Sequence, residues 1–248
     1  SVQTSPSTVC RGQTGLSVTL LVRNTGEAGA GIGSAGLTFT AGGTDVGSDY
    51  TVTAGSKPTS IAGGTTATFS YTVAVGGAAT LGAVGVDGTV SGTDANSGAA
   101  LSDGAADLAD GWTVQRAAAL VIVNVQTSPV TVSRGQTGVA VAMQVRNPGE
   151  AAASIGSAGL TFTAGGTDVG SDYSVTAGSN PTAVAGGTTA TFSYTVAVAG
   201  SATLGAAALD GTVSGSDANS GTALTDGGAD LADTWTVQTP AHLRRFRS

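Results

Sequence analysis

The residues best suited to chemistry lie in the most acidic stretch of the chain, residues 88–112, and in a copy of that stretch further along. Asp94, Asn96 and Gly98 form a D-x-N-x-G pattern, whose alternating oxygen ligands and turn glycine resemble the start of a calcium loop. Further aspartates follow in the same stretch, namely Asp103, Asp107 and Asp110. The predicted calcium ligands of the two copies are Asp94, Asn96, Asp103, Asp217, Asn219 and Asp226.

The calcium pattern is incomplete, and a second interpretation competes with it. It lacks a third acidic position and the distant bidentate glutamate of a full calcium loop. Asp and Asn side chains also hydrogen-bond their own backbone in tight turns. A purely structural turn is therefore the alternative to a calcium site, and the sequence leaves both open.

The remaining candidates for catalysis or cofactor binding are weak. Residues 31–36 read GIGSAG, which matches a dinucleotide-binding pattern, but the strand-like LTFT follows instead of a helix, and Ser154 replaces the first glycine in the second copy. The single histidine, His242, lies outside both copies, and Cys10 becomes Ser133. Without a histidine base beside a nucleophile, and without a Cys/His cluster for zinc, we expect no enzyme and no cofactor other than calcium.

Composition and charge narrow the class of protein. The chain has 248 residues and a net charge of −7, and an acidic body repels the phosphates of nucleic acids. The longest apolar run, residues 117–123, is far shorter than the roughly 20 residues of a membrane helix. We therefore expect neither nucleic-acid binding nor a membrane span.

An internal repeat organises the chain. Residues 2–115 align with residues 125–238 at a constant offset of 123, without gaps, and 24 of the 114 pairs differ. In residues 16–23 every second residue, beginning with Leu16, is apolar in both copies. The residues between them change from one copy to the other, apart from Arg23. This alternation is typical of a half-buried β-strand. Residues 66–75 show the same period, and clusters of Gly, Asp, Asn and Pro separate such runs.

This pattern predicts an all-β protein. About seven short strands per unit of this size are typical of an immunoglobulin-like sandwich. We predict two tandem immunoglobulin-like β-sandwich domains, at residues 1–116 and 117–239, and a basic tail at residues 240–248. Trp112 and Trp235 each lie in an alternating run, so we expect them in the cores rather than stacked on a carbohydrate.

The start of the second copy differs from the start of the first. Residues 117–129, AAALVIVNVQTSP, carry an apolar run that has no match ahead of SVQTSP at residues 1–6. We interpret the run as the first strand of the second domain or the last piece of a linker. Its lack in the first domain would expose backbone groups and an apolar groove. Either the chain is cut from a longer array, or the strand is peripheral, or another chain supplies it.

The C-terminal tail is the candidate for such a donor strand. Residues 240–248 lie where the offset would place another copy of the apolar run, with Leu243 and Phe246 as predicted contacts. Strand addition from one subunit to the next would join copies head to tail, and a contact of that kind that does not close makes a fibre. The three arginines of the tail, Arg244, Arg245 and Arg247, are poor lining for an apolar groove.

One stretch of each unit also resembles a known family. TVSRGQTGVAVAMQVRNPGEAAASI at residues 131–155, and its partner in the first copy, resemble the opening of the cell-adhesion-related domain of bacterial and archaeal surface proteins. The resemblance implies an extracellular, non-enzymatic repeat in a fibre, filament or adhesin stalk, with neighbouring copies of the repeat as partners. The alternatives are a module that binds a glycan or another cell-surface ligand, and a calcium-stabilised spacer.

Overall fold

The computed structural model describes residues 1–104, 109–227 and 232–244. The chain divides into two compact units, Ser1–Ala117 and Ala118–Ser248. Apart from one short 3-10 turn in each unit, at Gly47–Asp49 and Gly170–Asp172, every regular element in these residues is a β-strand. The predicted all-β fold is therefore confirmed, and each unit is a sandwich of two sheets.

The first unit is built from a smaller and a larger sheet. Its smaller sheet has the order β1-β3-β8-β6, and its larger sheet has the order β2-β11-β9-β4-β5, with β7 paired to β4 and β10 to β9. These strands are β1 (Val2–Ser5), β2 (Thr8–Cys10), β3 (Leu16–Arg23), β4 (Ala30–Ala41), β5 (Thr44–Asp45), β6 (Tyr50–Ala54), β7 (Ser60–Ile61), β8 (Thr66–Val75), β9 (Gly82–Asp94), β10 (Ala100–Asp103) and β11 (Asp110–Gln115).

The second unit repeats this topology. Its sheets have the orders β12-β14-β19-β17 and β13-β22-β20-β15-β16, with β18 paired to β15 and β21 to β20. These strands are β12 (Val121–Ser128), β13 (Thr131–Ser133), β14 (Val139–Arg146), β15 (Ala153–Ala164), β16 (Thr167–Asp168), β17 (Tyr173–Ala177), β18 (Ala183–Val184), β19 (Thr189–Val198), β20 (Gly205–Asp217), β21 (Ala223–Asp226) and β22 (Asp233–Gln238).

The alternating runs form the core, as their period predicts. Strands β3 and β8 pair along their length, so that Val18 faces Tyr71 and Leu20 faces Phe69 across the ladder, and all four side chains are buried. Since successive side chains of a strand point to opposite faces, this one apolar set fills the space between the sheets. The expectation for Trp112 is confirmed too, because only 3% of its surface is exposed.

The polar, glycine-rich stretch at residues 88–94 is also a strand, although it shows no hydrophobic alternation. It is the second half of β9 and pairs with β4. Gly92 explains why the pattern is weak there, because a Cβ atom at this position would collide with the carbonyl oxygen of Gly31 on the neighbouring strand. Close backbone approach, rather than apolar packing, therefore selects the residue.

A buried hydroxyl in each core offers a test of the packing. In the described residues the hydroxyl groups of Tyr71 and Tyr194 are buried without a hydrogen-bond partner, and burial raises the pKa of Tyr194 to about 12. Tyr173 differs, since its hydroxyl accepts a bond of 3.4 Å from Trp235 Nε1.

Replacing Tyr194 with phenylalanine is expected to stabilise the second unit by about 1 kcal/mol, because the unfolded chain hydrates the hydroxyl and the fold leaves it unsatisfied. Tyr71→Phe should act alike in the first unit. Urea unfolding measures both, and Tyr173→Phe, which removes a bonded hydroxyl, is the control that should lower stability. Equal losses in all three variants would contradict this account.

Candidate functional site

The predicted calcium residues form a tight turn in each unit. The Oδ1 atom of Asp94 accepts hydrogen bonds from the backbone amides of Asn96 at 3.0 Å and Ser97 at 2.7 Å, and from the Ser97 hydroxyl at 2.8 Å. The turn closes through Gly98, which has a φ of 72°, a value that favours glycine. The alternative of a structural turn at Asp94 is therefore what the backbone adopts.

In the described part of the chain these residues do not form a cluster of metal-binding side chains. Among the described residues no group of three or more His, Cys, Asp or Glu side chains could hold a metal ion. Asp103 lies on β10, whereas Asp94 ends β9. Asp107 and Asp230 lie outside the described residues. Calcium binding by Asp94, Asn96, Asp103, Asp217, Asn219 and Asp226 stays a prediction.

In the second unit the equivalent aspartates have a further partner, the segment that enters the unit. We call residues 118–124 the linker segment. The Oδ2 atom of Asp217 accepts the amide of Ala118 at 2.6 Å, and the Oδ2 atom of Asp226 accepts the amide of Ile122 at 2.5 Å. The amide of Ala119 donates to Asn147 Oδ1 at 3.1 Å. Three side chains of the fold thus hold three backbone amides of the linker segment.

The linker segment also contributes apolar side chains to the second unit. Ala118, Leu120 and Ile122 are each less than 8% exposed. Strand β12 continues the segment and pairs antiparallel with β14, so that Ile122 faces Val145. The apolar run therefore combines the two interpretations, since residues 117–120 precede the strand and residues 121–123 begin β12.

Sequence reasoning missed the residues that anchor the linker segment. Asp217 and Ala118 are 99 positions apart, and no local pattern relates them. The only hint was that a largely uncharged repeat keeps its aspartates in both copies, which a turn explains equally well.

In the first unit the equivalent walls are more exposed. A groove in this unit is lined by Val22, Asn24, Val90, Leu101 and Asp103, among others. Val22, Asn24 and Val90 are only partly buried, whereas their counterparts in the second unit are at most 3% exposed, namely Val145, Asn147 and Val213. We call this feature the open groove, and the linker segment accounts for the difference between the units.

Hydrogen bonding controls the ionisation of the aspartates that hold the entering strand. Burial works to raise the pKa of Asp217, but the amides of Ala118, Ser220 and Asn219 outweigh it and keep the pKa below its ordinary value. Asp233 behaves in the same way, since the amide and hydroxyl of Thr127 at 2.7 and 2.9 Å oppose its burial and lower its pKa.

Acid is therefore expected to destabilise the second unit. The folded pKa of Asp217 and Asp233 lies below the unfolded value of about 3.9, so the unfolded chain takes up protons first. The stability that the two carboxylates provide is complete above about pH 5 and is lost as the pH falls through the folded pKa. Urea unfolding from pH 7 downward measures this loss, and Asp217→Asn with Asp233→Asn should flatten it. An unchanged acid response in that variant would assign the loss to other carboxyls.

The tail residues predicted as a donor strand are only partly described. Leu243 is 97% exposed, and Phe246 lies outside the described residues. The tail prediction is not tested by this arrangement. Within the described ranges, no helix has the length and apolar character needed to cross a bilayer.

Two further features considered for cofactor binding or catalysis lie in strands of the sandwich. Residues 31–36, which match the dinucleotide pattern, lie inside strand β4, so no helix N-terminus follows them to receive a phosphate. Cys10 is buried at the end of β2, and its amide donates to the side chain of Gln13 at 2.8 Å. A structural role accounts for both features.

Comparison with known proteins gives only distant structural likenesses. No protein-family model matches the chain, and no curated protein matches it either. The secreted serine protease VesC from Vibrio cholerae gives a TM-score of 0.31 at 11% identity, covering 82% of this chain and 47% of that one. This chain thus spans about half the length of VesC.

Two other solved structures match over nearly their whole length. A protein of unknown function from Porphyromonas gingivalis W83 gives a TM-score of 0.29 at 12% identity, covering 97% of this chain and 99% of that one. The CupB2 chaperone of Pseudomonas aeruginosa gives 0.25 at 14% identity, with 91% and 98% covered. At these TM-scores the likenesses carry no argument about function.

Proposed function

We propose that the chain is a non-enzymatic structural protein of the cell surface or the extracellular space, built from immunoglobulin-like repeats in a fibre, filament or adhesin stalk. Its partners in this role are neighbouring copies of the same repeat. The resemblance of residues 131–155 to the cell-adhesion-related domain of surface proteins supports the location. The way each unit joins its two ends supports the mechanical role.

Within each unit the second strand and the last strand lie side by side and parallel. Strand β2 pairs with β11, with Val9 opposite Val114, and β13 pairs with β22 in the same register, with Val132 opposite Val237. Beyond these ladders the amide of Arg11 donates to the carbonyl of Gln115 at 3.0 Å. When two parallel neighbouring strands lie near the two ends of a domain, tension on those ends pulls the strands past each other and loads their hydrogen bonds together.

This parallel pair of the second and last strands is the observation that carries the proposal. A unit loaded in shear must break several bonds at once before it can extend, whereas a peeled hairpin yields one bond at a time. The connection between the units is also short, because only Arg116 and Ala117 separate the end of β11 from the first linker amide held by Asp217. Both features suit a segment that transmits tension.

Single-molecule pulling of the full chain tests the mechanical role. We expect two distinct rupture events with nearly equal gains in length, one for each unit. Arg11→Pro removes the terminal amide of the first ladder, and Arg134→Pro removes the matched bond of 2.9 Å to Gln238. Each variant should lower one rupture force and leave the other unchanged. Smooth extension without rupture events would refute a load-bearing function.

Antibody labelling of intact source cells tests the location separately. Staining of unpermeabilised cells is the expected result. Staining that appears only after permeabilisation would place the protein inside the cell and contradict the proposal.

A further inference from the structure

We propose that strand β6, the free edge of the smaller sheet in the first unit, joins two copies of this chain by antiparallel strand addition. The two β6 strands lie side by side about a twofold axis that passes next to Val52. This inference goes beyond the proposed function and does not depend on it, because it rests on the strand edge and not on the load that the chain carries.

The backbone of β6 is unpaired along one side. The strand ends the sheet order, with β8 as its neighbour on the other side. The amide of Gly55 donates to the carbonyl of Ser70 on β8 at 2.8 Å, and in an antiparallel ladder every second residue bonds to the same neighbour. The amides of Val52 and Ala54 therefore face away from β8, and within the described ranges neither has a hydrogen-bond partner.

The opposite edge of the smaller sheet is protected in a way that β6 is not. There the amide of Thr4 on β1 donates to Asp110 Oδ2 at 2.7 Å, and in the second unit the amide of Thr127 on β12 donates to Asp233 Oδ2 at 2.7 Å. An aspartate of the larger sheet thus takes the place of a further strand. Charged side chains at an edge prevent sheets from joining, so the contrast marks β6 as an edge that is open to pairing.

The residues of β6 suit a neighbour of their own kind. The strand reads YTVTA and carries no charge, and Val52 offers apolar surface because it is 39% exposed. When Val52 lies opposite its counterpart in the second copy, each donates its amide to the carbonyl of the other. The amide of Ala54 then reaches the carbonyl of Tyr50 across the ladder. Addition of a strand to an exposed sheet edge is an established mode of recognition, and the symmetric register satisfies both copies equally.

The charges at the two ends of β6 are complementary in this register. Asp45 and Asp49 precede the strand, and Lys57, the one lysine of the chain, follows it. Lys57 lies five residues after Val52, so antiparallel pairing brings it level with Gly47 of the other copy, between the two aspartates. Lys57 and Asp45 are exposed, and in the described part of the chain Lys57 has no ion-pair partner. The charges therefore favour a second copy as the occupant.

The second unit carries the same edge without the lysine. Strand β17 reads YSVTA, and Val175 is also 39% exposed. Asn180 stands where the first unit has Lys57, and its Oδ1 atom accepts the amide of Ser193 at 2.8 Å within its own unit. Two β17 edges would place their acidic ends beside a neutral side chain. The charges thus select β6 over β17.

Sedimentation equilibrium of the full chain tests the inference. We expect a weak dimer, because one short strand from each copy buries less than the roughly 1,200–2,000 Å² of stable interfaces. A concentration series up to about 1 mM detects even millimolar dissociation constants. Added salt should weaken the dimer, since exposed charges are screened. Hydrogen exchange at high concentration should show new protection at Val52 and Ala54, but not at Val175 and Ala177.

Proline substitutions in the two edges provide the matched variants. Val52→Pro removes the amide at the centre of the contact, and proline is tolerated on an edge strand where the amide faces solvent. It should abolish the dimer, whereas Val175→Pro in β17 should leave it unchanged.

Exchange of charge provides variants that do not touch the backbone. Lys57→Glu should weaken the dimer about tenfold, because two exposed pairs of opposite charge become pairs of like charge, and the unfolding midpoint of the first unit should stay in place. Asn180→Lys should give β17 the missing charge and raise the mean mass above that of a dimer.

A chain that stays monomeric at every concentration would overturn the inference, even if an unrelated extended peptide protects the same amides. So would a dimer that Val52→Pro and Lys57→Glu leave intact, or one that Val175→Pro dissolves, because the contact would then lie elsewhere. Pulling of single chains does not involve this contact, so the load-bearing function and the dimer fail independently.

Discussion

Replacing Leu120 with alanine is expected to destabilise the second unit by about 3 kcal/mol, within the range of about 2–5 kcal/mol for buried leucine. Leu120 is 5% exposed and lies between two amides held by side chains of the fold, those of Ala119 and Ile122. Because the bonds fix the backbone on both sides, the segment has little freedom to collapse into the cavity. Urea unfolding combined with hydrogen exchange, which assigns protection to each unit, measures the loss.

The chain supplies its own control for this substitution. Leu243 occupies the position equivalent to Leu120 at the constant offset, yet it is 97% exposed. Leu243→Ala should therefore change the free energy of unfolding by less than about 0.5 kcal/mol. If Leu120→Ala were equally silent, the linker segment would contribute nothing to the second unit, and the comparison of its filled groove with the open groove would lose its basis.

Strands with a regular apolar period could be predicted from the sequence, and strands without one could not. In β3 and β19 every second residue faces inward and is wholly or partly buried. Because these buried positions require apolar side chains, the sequence shows the alternation. In the second half of β20 that pattern fades, and a Cβ atom at Gly215 would collide with the carbonyl of Ser154. Where two backbones approach closely, the strand carries small residues such as glycine and serine. The same residues are typical of turns, so the sequence does not distinguish the two.

The function of the aspartates could not be predicted for a different reason. A calcium loop and a self-bonded turn both place oxygens at alternate positions, and Asp94 and Asp217 both begin the same five residues, DANSG. The two residues nevertheless differ in burial, with Asp217 only 1% exposed. The difference arises from Ala118, which lies far away in the chain. Two aspartates at equivalent positions of nearly identical repeats thus differ in burial, because Ala118 lies outside the repeated residues.

Replacing Asp217 with asparagine is expected to destabilise the second unit by about 2–3 kcal/mol. The Oδ1 atom of asparagine can still accept the turn bonds of Asn219 and Ser220. At the other position an NH₂ group would face the amide of Ala118, which donates to Oδ2 at 2.6 Å in the present structure. Two donors then oppose each other at a buried site, and a hydrogen bond to a charged group, worth about 1.5–3 kcal/mol, is lost.

Asp94→Asn provides the matched comparison, because Asp94 closes the same turn through Ser97 but has no linker amide over it. Its substitution should cost clearly less, and the difference between the two variants isolates the bond to Ala118. Hydrogen exchange should show the loss of protection in Asp217→Asn first at residues 118–124, ahead of the rest of the second unit. Equal effects of the two substitutions would mean that the turn alone needs the carboxylate, and that the linker segment is held by its apolar side chains.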